Sequence, residues 1–369
     1  MNILYVCTYY HRAMIFRDSM NYLEARGHNI IAFNAVAKGT VIDDKYKAIM
    51  DEKVIHKECF NKFDRFFFEL KQKKILRAIE TSLDIKEFDL IHSHTLFNGG
   101  WAAYQLYRKR GIPFYVSVRD TDLNVFLKIP TFKRKARKIV EDASGVVFLS
   151  GAYKNQFLDL CFAESERKTV NEKCVVIPNG LEPFWLENIY RQRIEVHNPL
   201  ELLCVGKIDK RKNLLTTVRV VERLYKNGTL VHLTVIGQVL DNNVKAVLDK
   251  SAHVSVIPFM PKDRLIEYYR KADIFIMPSF TETFGRVYAE AMTQGLPVIY
   301  TKGQGFDGNF EDGVVGYSVI ADDVEGITKA VQNIIDAYPQ ISQNCVDKCR
   351  IFNWTDIAER LEKIYSKSL

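Results

Sequence analysis

The sequence predicts an α/β protein with two parallel-sheet domains in tandem. Short apolar runs rich in β-branched residues alternate with longer amphipathic segments, a pattern typical of buried parallel strands joined by crossover helices. The same alternation starts again after residue 200, so a single sheet does not account for it. A length of 369 residues suits two domains, and an apolar fraction of 47% excludes a disordered chain or a small disulfide-stapled one.

The first half of the chain carries one Rossmann-like domain. Helical patterns at residues 15–26 and 99–110 separate some of its apolar runs. Six strands are predicted, at residues 2–7, 29–34, 90–93, 114–118, 145–149 and 174–177.

The second half repeats this organisation with five predicted strands, at residues 202–205, 232–236, 254–257, 274–277 and 298–300. A polar stretch at residues 191–200 predicts a linker, so we place the domains at residues 1–195 and 196–353. We assign the amphipathic helix at residues 354–369 to the first domain. Such sheets bind ligands beyond the carboxyl ends of their strands, and we therefore expect a cleft between the domains.

The sequence indicates a cytoplasmic protein that can associate with the inner face of a membrane. Its seven cysteines are scattered, and only Cys345 and Cys349 are close, so they predict buried thiols in a reducing compartment rather than a zinc site. The first residues, MNILYVCTYY, predict a core strand and lack the basic start of a signal peptide. No run approaches the ~20 apolar residues that span a bilayer.

The most informative stretch is ADIFIMPSFTETFGRVYAEAMTQGLPVIYT, at residues 272–301. It predicts a buried strand, a loop that carries Glu282, a helix from about Phe284, and a further strand. Glu290 lies about 12 Å along such a helix from Glu282, which suits the two ends of a nucleotide sugar. The free backbone N–H groups at Phe284 and Gly285 favour a phosphate.

This stretch resembles the E-x7-E signature of retaining glycosyltransferases of family 4, which have the GT-B fold. The resemblance implies two Rossmann-like domains facing each other across a cleft, with a donor nucleotide sugar on the C-terminal domain. It assigns Glu282 to the donor sugar and Glu290 to the ribose. Two surface acids at a chance spacing are the alternative.

Two further segments of the second half resemble the same family. LLCVGKIDKRKNL implies that Gly206, Lys207 and Lys212 contact the diphosphate. Lys207 stands where the family has Arg, which keeps the charge but loses the bidentate fork, and a solvated charge run is the alternative. LTVIGQ places Gly237 after a strand, where close phosphate approach and a plain turn are equally compatible.

The segment VSVRDTDLN in the first half resembles the family's VxVHGTDLN and places Arg119 where His is usual. The resemblance implies that Arg119 stabilises the leaving diphosphate, whereas a structural salt bridge is the alternative. On the acceptor side we assign Asp122 from this segment and His94, which follows a predicted strand. Local hydrogen bonding would equally explain His94 and its neighbour His92.

Two short motifs suggest other chemistry. Asp120-Thr121-Asp122 is a DxD, which holds a divalent ion in glycosyltransferases of another fold, but the two-domain layout favours a metal-independent enzyme. The GxGxxG at residues 303–308 continues into a turn and strand rather than a helix, so NAD is not expected. The resemblance instead brings Gly303 and Gly305 close to the donor. We expect no cofactor, since the nucleotide sugar is a co-substrate.

The basic excess lies in the first domain. The chain has a net charge of +7, and residues 1–195 hold 31 basic and 24 acidic residues. Phe63, Phe66, Phe67 and Leu70 have helical spacing in a basic segment, which predicts a core-facing stripe. The alternative is a basic, aromatic surface for an anionic membrane or a polyprenyl-diphosphate-linked acceptor. No recognition motif supports nucleic-acid binding.

These features together predict a retaining, metal-independent glycosyltransferase. The resemblance implies a nucleotide-diphosphate sugar as donor, with UDP the expected nucleotide, and a glycan or polyprenyl-linked acceptor. It also implies a setting in bacterial cell-surface polysaccharide synthesis. A GT-B sugar-nucleotide epimerase and a catalytically inactive GT-B binding subunit remain as alternatives.

Overall fold

The computed structural model describes residues 1–191 and 195–368, which form two compact units. The first unit comprises Met1–Leu149, Tyr153–Gly180 and the chain from Trp354 onward. The second unit comprises Ser150–Ala152 and Leu181–Asn353. The linker predicted at residues 191–200 falls partly outside the described residues.

The first unit is built on a parallel sheet of seven strands within the described residues. The strands are β1 (Asn2–Cys7), β2 (Asn29–Ala37), β3 (Val54–Phe60), β4 (Leu90–Ser93), β5 (Phe114–Val118), β6 (Gly145–Phe148) and β7 (Cys174–Val176). They pair in the order β3-β2-β1-β4-β5-β6-β7, so the strand order reverses beside β1. Side chains of β1, β4, β5 and β6 are buried on both faces, as a sheet covered by helices requires.

The helices that accompany this sheet follow the strands along the chain. They are α1 (Ile15–Glu24), α2 (Phe68–Ser82), α3 (Gly100–Arg110), α4 (Asp120–Asn124), α5 (Pro130–Asp142), α6 (Gly151–Cys161) and α7 (Glu164–Asn171). The glycine after α3, Gly111, has a φ of 75° and ends that helix in a left-handed turn.

The second unit is built on a parallel sheet of six strands within the described residues. The strands are β8 (Leu200–Val205), β9 (Val231–Ile236), β10 (Val254–Ile257), β11 (Ile274–Ile276), β12 (Val298–Thr301) and β13 (Gly316–Val319), in the order β10-β9-β8-β11-β12-β13. The helices are α8 (Pro183–Glu187), α9 (Leu214–Lys226), α10 (Asn242–Leu248), α11 (Lys262–Lys271), α12 (Arg286–Thr293), α13 (Val324–Asp336) and α14 (Tyr338–Lys348).

The last helix, α15 (Trp354–Tyr365), packs in the first unit. Its buried face includes Ile357, Leu361 and Tyr365, which join a core cluster with Tyr5 of β1 and Met20 of α1. The Tyr365 hydroxyl lies 2.5 Å from Nδ1 of His92. Residues distant in sequence therefore complete the core of this unit.

The predicted α/β architecture is confirmed, with two differences. The edge strand β3 was not predicted from the sequence. The chain also passes to the second unit at Gly180/Leu181 and not at residue 195. The reason is that Trp185 of α8 is buried against Tyr269 of α11, with ring centroids 5.4 Å apart.

The core-facing stripe predicted in the basic segment is wrong. Residues 62–66 form a 3₁₀ turn, and the backbone of Phe67 (φ −117°, ψ 79°) separates it from α2. The helical phase therefore starts at Phe68, and α2 instead buries Gln72, Ile75, Ala78 and Ile79. We refer to the four side chains left outside as the aromatic cluster; Phe63 is 77%, Phe66 75%, Phe67 63% and Leu70 46% exposed.

No helix among the described residues is both long enough and apolar enough to cross a membrane.

Candidate functional site

The carboxyl ends of β8 and β9 meet at two glycines in the second unit. Gly206 follows β8, and Gly237 follows β9. A Cβ atom on Gly237 would lie 1.7 Å from the carbonyl oxygen of Gly206, so no side chain fits there. A Cβ on Gly206 would lie 3.2 Å from Cε of Lys212. The absence of side chains at Gly206 and Gly237 therefore lets the two backbone segments and the Lys212 side chain pack closely at the edge of the sheet.

Lys212 and Glu282 form an ion pair at this edge, with Nζ 2.5 Å from Oε2. Lys212 ends a 3₁₀ turn after β8, and Glu282 lies in the loop after β11, which is paired with β8. Their side chains are 9% and 13% exposed. Two opposite charges are thus held together where they are largely removed from water. The exposed Lys207 follows β8 at the same edge.

A neighbouring loop fixes the backbone of Glu282. The Glu282 N–H donates to Oε1 of Gln304 at 3.0 Å, and the Gly305 N–H donates to the Glu282 carbonyl at 3.0 Å. A Cβ on Gly305 would lie 1.9 Å from the Thr283 carbonyl, so this glycine serves loop packing. Gly303 has a φ of 78° and nothing within 4 Å of its Cβ position, so it leaves open space. Sequence reasoning missed Gln304.

Helix α12 begins at Arg286 and not at Phe284, because Gly285 adopts a left-handed φ of 75° as its N-cap. Phe284 is 2% exposed and packs on Phe306 and Phe352, with ring centroids 6.0 and 5.7 Å away. Its side chain thus belongs to the core, which leaves only its backbone for the predicted donor contact.

Glu290 lies within α12 and is buried. The Tyr269 hydroxyl donates to its Oε2 at 3.3 Å. Burial raises the pKa of Glu290, partly opposed by the nearby Arg286. The Tyr269 hydroxyl is thus an uncharged hydrogen-bond partner of this carboxylate. The contact of Glu290 with a ribose stays a prediction.

A pocket of about 380 Å³ adjoins the carboxyl ends of β9 and β10. Gly237, Pro258 and Phe259 line it, and Phe259 is 75% exposed. An exposed aromatic ring on the wall of a pocket suits a planar base. The sequence signal for Phe259, an aromatic residue soon after a strand, was too general to single it out.

Arg119 follows β5 in the first unit and contacts uncharged acceptors. Its Nε donates to the His94 carbonyl at 3.2 Å, and its Nη1 donates to Oδ1 of Asn179 at 3.1 Å. Burial lowers the pKa of Arg119 to about 10, so the guanidinium stays charged at neutral pH. These side-chain contacts differ from the salt bridge that was the alternative for this residue.

His94 is 5% exposed and lines a small pocket with Arg119 and Asn179. Its ring packs on Tyr5 and on His92, with centroids 4.3 and 4.5 Å away. Neither ring nitrogen has a hydrogen-bond partner among the described residues. Burial holds the pKa of His94 well below its usual 6.5, so the ring is neutral.

His92, by contrast, is satisfied locally. Its ring nitrogens lie 2.5 Å from the Tyr365 hydroxyl and 2.9 Å from Oγ of Ser117. Local hydrogen bonding therefore explains His92 but not His94.

Asp122 is buried and holds backbone groups in place, and its predicted place on the acceptor side stays a prediction. It is 1% exposed, and its carboxylate accepts the backbone N–H groups of Leu96, Phe97 and Arg119 at 3.1, 3.3 and 3.0 Å. Burial raises its pKa to about 6 against the effect of these bonds. Asp120, the other acid of the DxD, accepts hydrogen bonds from the side chain of Asn124 and, at 3.5 Å, the hydroxyl of Tyr153.

Comparison with known families matches both halves of the chain. Residues 187–350 match the family described as glycosyl transferases group 1. Residues 15–183 match glycosyltransferase family 4.

Curated relatives carry names of the same kind. The alpha-monoglucosyldiacylglycerol synthase of Acholeplasma laidlawii is 24% identical over 326 residues, which cover 80% of this chain and 77% of the relative. The putative teichuronic acid biosynthesis glycosyltransferase TuaC of Bacillus subtilis is 26% identical over 222 residues, covering 58% of this chain and 53% of the relative.

Solved structures share the fold. Sucrose-phosphate synthase from Thermosynechococcus elongatus superposes with a TM-score of 0.75 at 18% identity, covering 100% of this chain and 98% of that one. HepE from Anabaena, in complex with UDP-glucose, superposes with a TM-score of 0.69 at 17% identity, covering 100% of both chains.

Proposed function

Since the chain belongs to the group 1 glycosyltransferases of family 4 and has the GT-B fold, we propose that it is a retaining glycosyltransferase. In this proposal it transfers a sugar from a UDP-sugar to a hydroxyl group of a glycan or lipid-linked acceptor. The observation that carries this proposal is the Lys212–Glu282 pair beside Gly206 and Gly237. It puts a cation and a carboxylate beside two closely approaching glycines at the carboxyl edge of a parallel sheet, where such sheets bind ligands.

In this proposal the second unit holds the donor. Lys212 and Lys207 contact the diphosphate, and Glu282 binds hydroxyls of the sugar. The pocket beside Phe259 takes the base, and Glu290 takes the ribose. UDP is the proposed nucleotide, which the complex of HepE with UDP-glucose supports by analogy of fold.

The reaction then needs stabilisation of a leaving group rather than a strong base. The bond between the anomeric carbon and the diphosphate oxygen breaks, and the acceptor oxygen bonds to that carbon on the same face. The hydroxyl proton passes to the departing diphosphate. The lysines stabilise the negative charge that develops there, and Arg119 is our candidate for a contribution from the first unit.

A panel of UDP- and GDP-sugars tests this function through nucleotide release. We expect release from a UDP-sugar, with Glu282→Gln strongly impaired. Glu325→Gln, an exposed acid of α13, is the matched control and should keep the wild-type rate. Isomerised sugar nucleotide would identify an epimerase, and no turnover with any donor would identify an inactive binding subunit.

We also propose that the reaction needs no divalent cation. The carboxylates of the DxD support this, because Asp122 already accepts three backbone N–H groups and Asp120 two side-chain donors. Nucleotide release should persist in EDTA. Loss in EDTA with recovery on Mn²⁺ would contradict it.

The acceptor and the setting are proposed from the relatives and the aromatic cluster. The names of the relatives include a diacylglycerol glycolipid synthase and a teichuronic acid glycosyltransferase, which support glycolipid or polysaccharide synthesis. The aromatic cluster shares its surface with the exposed Lys62 and Arg65. Exposed aromatic rings beside cations suit an anionic membrane surface, and we propose that the first unit binds one.

A further inference from the structure

A pocket of about 580 Å³ in the first unit adjoins the carboxyl ends of β1, β2 and β3. This volume lies within the range of small-molecule sites. The pocket extends to residues that follow β4 and β5, so it spans the place where the strand order reverses. Open α/β sheets bind ligands at this position.

The charged residues that line this pocket are all basic. Arg12, Lys62, Arg65 and Lys71 contribute four cations, and no Asp or Glu is among the described residues of the lining. Arg12, Lys62 and Arg65 are exposed, whereas Lys71 is half-buried. Asp64, which lies on the same 3₁₀ turn as Lys62 and Arg65, is instead paired with Lys74 at 2.6 Å.

Lys71 is held in place by neutral groups. Its Nζ donates to Oδ1 of Asn98 at 2.8 Å and lies 4.9 Å from the centroid of the Phe60 ring. Burial lowers its pKa to about 8, and the neighbouring Arg65 contributes to the shift. These surroundings destabilise the charged form of Lys71, and a bound anion would stabilise it.

Two polar atoms of the pocket wall lack partners among the described residues. They are Oγ1 of Thr8 and Nε2 of His11, on side chains 8% and 4% exposed. A buried polar atom without a hydrogen bond destabilises the fold, so a ligand that supplied the missing bond would bind more tightly.

We propose that this pocket binds a phosphate or diphosphate group of the acceptor, an inference that rests on the proposed transferase function and narrows its acceptor to phosphate-bearing molecules. Arginine forks suit the oxygens of a phosphate, and lysine adds point charges around it. An uncharged glycan would offer no negative charge to pair with the four cations. The aromatic cluster continues from the turn that carries Lys62 and Arg65, and it offers apolar surface to a lipid-linked form of the same group.

Calorimetric titration of the full chain tests this, with the donor site first saturated with UDP. Pyrophosphate is the first probe, and we expect it to bind at a site that UDP does not block. Lys71→Gln and the double variant Lys62→Ala/Arg65→Ala should each weaken this binding at least tenfold. Lys57→Gln, an exposed lysine of β3 outside the pocket, is the matched control and should leave it unchanged.

The outcomes separate this inference from the proposed function. Normal UDP binding with no second site for pyrophosphate would overturn the inference and leave the donor site intact. Equal pyrophosphate affinity in the wild type and in Lys62→Ala/Arg65→Ala would also overturn it. Both substituted side chains are exposed, so we expect the double variant to fold normally. Binding of glucuronate in place of pyrophosphate would exclude the phosphate class.

A second probe distinguishes the source of the phosphate. A lipid-linked acceptor is supported if geranyl diphosphate binds at least tenfold tighter than pyrophosphate and if this difference in affinity disappears in Phe63→Ser/Phe66→Ser. Equal affinity for the two probes supports a phosphate-bearing acceptor that is soluble in water.

Discussion

At the level of single residues, the buried pair of Lys212 and Glu282 should contribute both to folding and to the catalysis that we propose. Glu282→Gln removes the carboxylate that pairs with Lys212, and Lys212→Met removes the ammonium group that pairs with Glu282. Each should lower the free energy of unfolding by about 3–5 kcal/mol and turnover by about 10²–10³-fold. Urea unfolding and nucleotide release measure the two effects separately.

The double variant Lys212→Met/Glu282→Gln separates these roles. It lacks both charges of the pair, so it should regain most of the lost stability. It should stay inactive, because the groups that we propose to bind the donor are gone. Additive losses of stability would show that the pair does not act as a unit. Recovered turnover would contradict the catalytic assignment.

Lys71 gives a prediction about pH. Only its charged form attracts an anion, so pyrophosphate affinity should fall as the pH rises through about 8, the lowered pKa of this lysine. The other cationic side chains that line the pocket are Arg12, Lys62 and Arg65. Burial raises the pKa of the neighbouring Cys59 to about 11, so that thiol remains neutral.

Calorimetry of Lys71→Arg provides the control, because arginine stays charged over this range and should flatten the profile. Parallel profiles for the wild type and Lys71→Arg would contradict the assignment. The same lowered pKa acts on folding in the opposite sense. The unfolded chain, with a lysine pKa near 10.5, binds the proton more strongly, so this group makes the fold more stable as the pH rises from about 8 to about 10.5.

The sequence singled out individual residues but did not predict their contacts. The motif located Glu282, but its pairing with Lys212 depends on β8 and β11 being neighbours in the sheet, which no local pattern encodes. The contacts of Asp122 were unpredictable for a similar reason, since the backbone N–H groups that it accepts belong to another loop as well as to the start of its own helix.

At the level of elements, we expect substitutions in the aromatic cluster to weaken membrane binding without lowering the stability of the fold. Phe63→Ser/Phe66→Ser should change the free energy of unfolding by less than about 1 kcal/mol, because both rings are exposed. The same variant should lose most of its binding to phosphatidylglycerol vesicles, measured by co-sedimentation. Unchanged co-sedimentation would contradict the membrane proposal.

Phe68→Ala is the comparison inside the same segment. Its ring packs on Phe132 with centroids 4.9 Å apart, so this change should destabilise the fold by about 3 kcal/mol while leaving the aromatic cluster in place. The contrast arises from Phe67, whose backbone interrupts the helical phase. A spacing rule assumes an unbroken helix and therefore assigned the wrong faces.

Strand β3 shows a second limit of local patterns. Its central residues include the exposed Lys57 and Glu58, because an edge strand is covered less than a central one. The central strands β1, β4 and β5 are buried on both faces, and their predicted bounds match the structure. Burial on both faces is therefore what made those elements predictable.

At the level of the whole molecule, α15 makes the stability of the first unit depend on residues far along the chain. Leu361→Ala should destabilise the first unit by about 2–5 kcal/mol, because Leu361 is buried in its core. Hydrogen exchange should accelerate in β1 and β4 and stay unchanged in β8 and β9.

Lys363→Ala, an exposed position of the same helix, is the control and should leave exchange unchanged throughout. Equal acceleration in both sheets after Leu361→Ala would mean that the two units unfold together.

The helix α15 also bears on how the chain folds during synthesis. The second unit draws almost all of its residues from one continuous segment, Leu181–Asn353, which the ribosome makes before it reaches Trp354. The first unit begins to emerge earlier but lacks the residues that cover Tyr5 and His92 until the codon for Tyr365 has been translated. The part of the protein that is made first is therefore the part that is finished last, because its core stays incomplete until α15 has been synthesised.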